Sequence, residues 1–256
     1  MMKKHIFNFL IIFLFTFFIL HSAEEKSDSL PEEIFFGIPA QVDQKIYRKG
    51  FSLGYRYKYR QAVWVSYILT KEKVQDKKVK RRPSFRIDPA IKFAPVRPKD
   101  YIKTGYDKGH LAPAADMAWS VIAMKNSFFM SNISPQLPGC NRGIWKRLEK
   151  AIRNWTLKEN KLCIITGPVF PDSNTFLANT SIPIPSAFYK VVLDLTPPMK
   201  MIGFLVPNAP SKRRIWAFAV SVDKVEEITG YDFFSALDDE TEKKLEKECH
   251  CVQWMK

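Results

Sequence analysis

Apolar positions along this chain change period several times, and each change marks an element. Residues 6–20 are an almost unbroken apolar run of fifteen, interrupted only by Asn8 and Thr16, behind the basic start Met1–His5. That is short for a membrane span of about 20 residues, and Ser22-Ala23 offers a small-residue cleavage point before Glu24. Residues 1–23 are therefore expected to be a secretory signal peptide, or an N-terminal membrane anchor if they are not cleaved. Residues 24–45 mix Glu, Ser, Pro and Gln around Ile34-Phe35-Phe36-Gly37 and read as an N-terminal arm. Residues 46–256 read as a single domain.

Within that domain Phe51–Tyr59 alternates apolar and polar residues, and Ala62–Leu69 is β-branched and aromatic; the short gap at Arg60-Gln61 makes them an antiparallel pair. Lys161–Phe170 reads as a buried strand stopped at Gly167-Pro168. Ala187–Leu195 and Met199–Val206 are two more strands around the turn Thr196-Pro197-Pro198, and Trp216–Val220 is a fifth candidate. Arg142–Trp155 carries apolar residues at Ile144, Leu148, Ala151, Ile152 and Trp155, the spacing of an amphipathic helix. Ser221–Gly230 has a Ser cap, early acids and a terminal Gly, a short helix, and Asp238–Glu248 reads as a last, charged one. Strands without regular βαβ alternation place the chain in the α+β class.

Charge sharpens this picture. The formal net charge is +14, or +12 once Lys3 and Lys4 leave with residues 1–23. A basic excess favours a polyanionic partner, nucleic acid or anionic membrane, over neutral ligands. Seven cations crowd into Lys71–Arg82, which reads as a basic loop and the first candidate for gripping a phosphate backbone. The hydrophobic content of 46% excludes general disorder. Cys140, Cys163, Cys249 and Cys251 fit one or two disulfides, and Cys249-His250-Cys251 lacks the second ligand pair that a zinc clip needs.

The candidate chemistry concentrates between Tyr106 and Arg153. Beyond residue 23 the histidines are His110 and His250, and His110 sits among Asp107, Lys108, Gly109 and Asp116. An imidazole is neutral and proton-accepting near pH 7, which suits activation of a water. Asn141, Trp145, Glu149 and Arg153 follow at steps of four, so on one continuous helix they share a side, with Asn141 and Glu149 about 12 Å apart along the axis. An amide oxygen binding a cation directly, with Glu149 holding one of its waters, fits that separation, and such oxygen donors suit Mg²⁺ rather than Zn²⁺. The plainer alternative makes Asn141 a helix cap and Glu149 an ion-pair partner of Arg153.

These same residues carry a resemblance. Asp107-Lys108-Gly109-His110-Leu111-Ala112-Pro113 with Asp116-Met117, then Ser131–Gln136, then Asn141-Arg142-Gly143-Ile144-Trp145 through Leu148-Glu149, resemble three ordered blocks of the DNA/RNA non-specific endonucleases. Thr166-Gly167-Pro168 and Pro183–Lys190 match in kind. The resemblance implies a ββα-metal core within a larger, mainly antiparallel sheet flanked by helices. It implies His110 as general base, Asn141 as the direct Mg²⁺ ligand and Glu149 as the group orienting a metal-bound water, with Mn²⁺ as a substitute ion. Asn132 would position the histidine or the phosphate, Arg153 and Arg82 would face the phosphate, and Lys108 and Arg142 would bind substrate; the choice between Arg81 and Arg82 stays open. One departure stands out, since the family most often has Arg where this chain has Lys108, losing the planar two-pronged grip.

The expected function is thus an exported Mg²⁺-dependent endonuclease acting on the backbone of DNA and RNA without strong sequence preference, periplasmic or secreted, and free of stable membrane association once the signal is cleaved. The family contains dimers, so a homodimer stays open. Two competing readings are a non-catalytic envelope protein that binds nucleic acid with a decayed site, and a phosphodiesterase for small nucleotides.

Overall fold

Alternate residues along the long strands leave opposite faces of one sheet, and both faces are covered, which is why the strands read as apolar runs. In β6 (Lys161–Val169), Leu162 and Ile164 belong to one core and Cys163 and Ile165 to the other, all of them fully buried. In β7 (Ala187–Asp194), Phe188 and Val192 divide from Tyr189, Val191 and Leu193 in the same way. Burying each Leu or Ile side chain contributes roughly 1.5–3 kcal/mol relative to exposure. The computed structural model describes residues 30–173, 175–249 and 251–255, so the expected signal peptide lies outside it.

The main sheet holds seven strands, each antiparallel to its neighbours, in the order β1-β2-β3-β6-β7-β8-β9. The first three are β1 (Gln44–Arg48), β2 (Phe51–Arg56) and β3 (Gln61–Thr70), and the last two are β8 (Lys200–Pro207) and β9 (Ala219–Val220). Because β3 and β6 are direct neighbours, residues 71–160 form one long excursion between them. That excursion carries a separate two-stranded ribbon, β4 (Asp107–His110) against β5 (Ile133–Gln136), and the helices α1 (Lys71–Gln75), α2 (Val121–Ser127) and α3 (Lys146–Glu159). Leu148, Ile152 and Trp155 of α3 bury against the first core. On the opposite face lie α4 (Val222–Thr229) and α5 (Asp239–Glu246), through Val222, Val225 and Leu245. Ser221 Oγ accepts from Lys224 N at 3.2 Å to cap α4, and Gly230 closes it at φ +68°. A last helix, α6 (Cys251–Met255), sets Trp254 on Trp155, behind a Cys249–Cys251 disulfide; Cys140 and Cys163 are free and buried.

Several elements differ from their sequence reading. β1 starts at Gln44 and pairs with β2, so the arm's last residues already belong to the sheet. The basic stretch is not all loop: Thr70 Oγ1 accepts from Lys73 N at 3.3 Å and starts α1, while the Lys73 ammonium donates to Ile68 O. β6 runs through Gly167-Pro168 because Pro168 pairs with Phe188 within the sheet register. Ile215–Phe218 is a 3₁₀ turn, leaving only Ala219–Val220 as strand, since Trp216 packs on Trp155. Among the described residues no helix is long and apolar enough to cross a membrane.

Candidate active site

Strand alternation on β4 sends Lys108 and His110 to one side, and the register Lys108↔Pro135, Gly109↔Ser134, His110↔Ile133 fixes them against β5. Gly109 is demanded by close packing: a Cβ there would stand 2.1 Å from Gln136 Oε1 and 2.5 Å from its Cγ. After His110 the chain is held by Asn132, fully buried, whose Oδ1 accepts from Ala112 N and whose Nδ2 donates to Ala112 O and Ser127 O, each at 2.9 Å. All of its polar capacity toward the protein is spent on backbone. Asn132 therefore braces the loop behind His110 and does not face substrate, which narrows the sequence reading to positioning.

The His110 ring packs between Phe85 (5.5 Å) and Phe128 (5.1 Å), and its Nε2 has no hydrogen-bond partner among the described residues. Burial first, then the nearby Arg81 guanidinium, pull its pKa down to about 3, so the ring is neutral across the physiological range. It nevertheless lines a cleft of about 480 Å³ together with Arg81, Lys108, Asn141, Arg142, Glu149 and Arg153.

The opposite wall comes from the start of α3. Cys140–Trp145 is a wide helical turn broken at Gly143 (φ −103°, ψ −108°), and regular α3 begins only at Lys146. Asn141 is consequently not a cap of α3, and the straight-helix separation from Glu149 does not carry over. Asn141 Nδ2 instead donates to Asp107 Oδ2 at 2.9 Å, and Arg142 grips the same carboxylate through Nε and Nη2 at 2.8 and 2.6 Å. Burial pushes the Asp107 carboxyl up, but these hydrogen bonds and the Arg142 charge hold it below the usual range. Asp107 thus rivets β4 to the turn that presents Asn141. With its nitrogen committed to a carboxylate, Asn141 keeps its amide oxygen for another partner.

Farther along α3, Arg153 pairs with buried Asp116 at 2.7 Å, not with Glu149 as the plainer reading had it, and Asp116 also accepts from Tyr67 Oη at 3.0 Å. Glu149 is left facing Lys190, a fully buried lysine of β7 whose Nζ lies 4.8 Å from the Trp145 ring and makes no hydrogen bond among the described residues. Burial raises the Glu149 carboxyl and Lys190 opposes the rise; burial lowers Lys190 and Glu149 opposes that.

Of the residues read from sequence, Lys108, His110, Asn141, Arg142, Glu149 and Arg153 meet in this one cleft. Arg82 does not: it lines a neighbouring groove with Lys78, Lys80 and Lys125, while its neighbour Arg81 stands over Phe128 and in the cleft, because adjacent residues of an extended segment point opposite ways. The sequence reading placed Asp116 near His110 without giving it a role, and assigned none to Lys190. Lys190 did leave a trace there, as a charge in the middle of an apolar strand.

A strand pair bearing a neutral histidine, a helix bearing an amide and a carboxylate, and a cationic cleft between them define a ββα-metal nuclease of the α+β class. The chain belongs to the DNA/RNA non-specific endonuclease family, whose sequence profile matches residues 34–240, and is accordingly a phosphodiester-hydrolysing endonuclease. It is similar to the mitochondrial nuclease of Saccharomyces cerevisiae, 30% identical over 240 residues that cover 84% of this chain and 73% of that protein. Human mitochondrial endonuclease G is 29% identical, over 77% of this chain and 71% of its own. A chain in the crystal structure of the EndoG/EndoGI complex superposes with a TM-score of 0.76 at 26% identity, covering 82% of this chain and 92% of that one.

Proposed function

We propose that this endonuclease is Mg²⁺-dependent, exported, and active on both DNA and RNA with little sequence preference, and that His110 is its general base. The observation carrying this is the neutral imidazole of His110 on the wall of a cleft that also holds Asn141, Glu149 and the five cations Arg81, Lys108, Arg142, Lys146 and Arg153. The donor set fits a hard divalent cation. Asn141 offers an amide oxygen, Glu149 is a carboxylate whose burial disfavours its charge until a cation compensates, and among the described residues no sulfur lines the cleft to favour a softer metal. Asn141 would hold Mg²⁺ directly, with Mn²⁺ able to replace it, and Glu149 would hold its water shell. Bound there, the cation supplies charge neutralisation at the phosphate and at the leaving 3′-oxygen.

The chain's own residues then divide the work. The His110 imidazole takes the proton of the attacking water, the aromatic rings beside it keeping it neutral and fixed. Arg81 and Arg153 face the phosphate; Asp116 holds Arg153 in place, and Lys190 opposes the loss of charge that burial imposes on Glu149. Lys108 and Arg142 supply backbone contacts on the rim. Departure of the 3′-oxygen would leave one product with a 3′-hydroxyl end and the other with a 5′-phosphate. Charge-based contact with the backbone, and the lack among the described residues of an element built to read base edges, supports low sequence preference. Export rests on residues 1–23 and points to a periplasmic or secreted enzyme.

The test is cleavage of plasmid DNA and of a long RNA by the purified protein with Mg²⁺ and with EDTA. Both polymers should be cut with Mg²⁺, and cutting should fall below detection in EDTA. Cleavage that persists in EDTA, or complete sparing of one polymer, would refute the proposal.

A further inference from the structure

We propose that Asp223, Glu226 and Glu246 form a second cation site, for Ca²⁺, that ties α4 to α5 on the face of the sheet opposite the active site. One oxygen from each residue lies within 4.8 Å of the others. Oxygens in one Ca²⁺ shell stand at most twice the metal–oxygen distance apart, about 4.6–5.2 Å for bonds of about 2.3–2.6 Å, so the cluster is already drawn to the span of one ion. The residues come from i and i+3 of α4 and from the last turn of α5, and each helix contributes what the other lacks.

An acidic cluster by itself means little, but this one runs from exposed Asp223 through half-buried Glu226 to a buried carboxylate. Glu246 is only 5% exposed, and its Oε1 is buried with no hydrogen-bond partner among the described residues. Glu242, one turn earlier on α5, has a second such orphaned oxygen. Glu226 Oε1 accepts from Phe233 N at 2.7 Å, a bond that aims the side chain without neutralising it. Among the described residues no ion pair reaches Asp223, Glu226, Glu242 or Glu246, and the Lys224 ammonium beside them turns to Glu227 at 2.7 Å. Burial first, and then the charges of Glu226, Glu242, Asp223 and Asp232, push the Glu246 carboxyl up to about 9. Carboxylates crowded in this way hold either protons or a cation. An all-carboxylate protein cage favours Ca²⁺ over Mg²⁺, because Mg²⁺ dehydrates reluctantly and binds few protein ligands.

The site lies across the sheet from His110. Val222, Val225 and Leu245 belong to the second core, and α3 packs on the first. Its effect would be to fasten the C-terminal helices, leaving the chemistry of the cleft unchanged.

The full-length protein, stripped with EDTA and dialysed, would be titrated with CaCl₂ alone and followed by calorimetric Tm. The Asn141→Ala variant removes any contribution from the active-site cleft. Ca²⁺ at a hundred times its dissociation constant should raise Tm by at least about 5 °C in the parent and in Asn141→Ala. The rise should be absent in Glu246→Gln, and Asp223→Asn, an exposed position, carries the same test if the first variant does not fold. Mg²⁺ should bind at least tenfold more weakly. An unchanged parental Tm in Ca²⁺, meaning carboxylates that share protons, or an equal rise in both carboxamide variants, would overturn the site.

Discussion

An imidazole packed between two phenylalanines resists protonation, because little water is left to solvate the charge and Arg81 repels it. The folded-state pKa of His110 is therefore below its unfolded value of about 6.5, and the stability tied to this residue is present above that value and lost as pH falls toward about 3. The parent should accordingly lose stability relative to His110→Ala by roughly 1.4 kcal/mol per pH unit below about 6.5. Urea unfolding of both proteins between pH 7 and 4.5 checks this; parallel pH dependences would show that folding does not hold the ring neutral. At this scale the sequence was legible where a residue type carries its own chemistry, as His110, Asn141 and Glu149 do. It was opaque where a role depends on what lies across space. Arg153 stands four residues from Glu149 yet pairs with Asp116, 37 positions away in the chain. Lys190 meets Glu149 only because β7 brings its ammonium against Trp145, at the head of α3.

The ribbon β4–β5 is the element that aims the chemistry, and Gly109 is its narrowest point. An added methyl would have to displace the buried side chain of Gln136 and, with it, the strand bearing His110. Gly109→Ala should cost about 1–3 kcal/mol by overpacking and lower kcat by at least about tenfold, since displacements near 1 Å cost up to about a hundredfold. Melting and steady-state kinetics on the same preparation decide it, and a parental kcat would show that the ribbon does not set the geometry. The strands and α4 were legible because their apolar period and caps are local signals. The break at Gly143 was not: a continuous period of four runs straight across it, and only the Asp107 rivet on Asn141 and Arg142 reveals why the turn opens.

Over the whole molecule a charge of +14 draws in a polyanion, but the cations do not share one task. Lys78, Lys80 and Arg82 flank a groove beside the cleft, whereas Arg81 stands inside it. Lys80→Ala with Arg82→Ala should raise KM several-fold and flatten its salt dependence with kcat within about twofold, the signature of lost backbone binding. Arg81→Ala should instead lower kcat by tenfold or more, as expected for a group acting on transition-state charge. Salt-dependent kinetics on long DNA separate the two, and the reverse pattern would exchange their roles. The family and the α+β class were legible at this scale because three motif blocks keep their order over the chain. The return of residues 71–160 between two neighbouring strands was not, since only the register of β3 against β6 shows it.

The most direct measurement is the rate of plasmid cleavage by His110→Ala at saturating Mg²⁺, with thermal unfolding verifying that the variant is folded. A loss of about 10²–10⁴-fold is predicted, the usual contribution of a positioned general base. A folded variant that retains activity within tenfold of the parent would contradict His110 as the base and move the search for it elsewhere in the cleft.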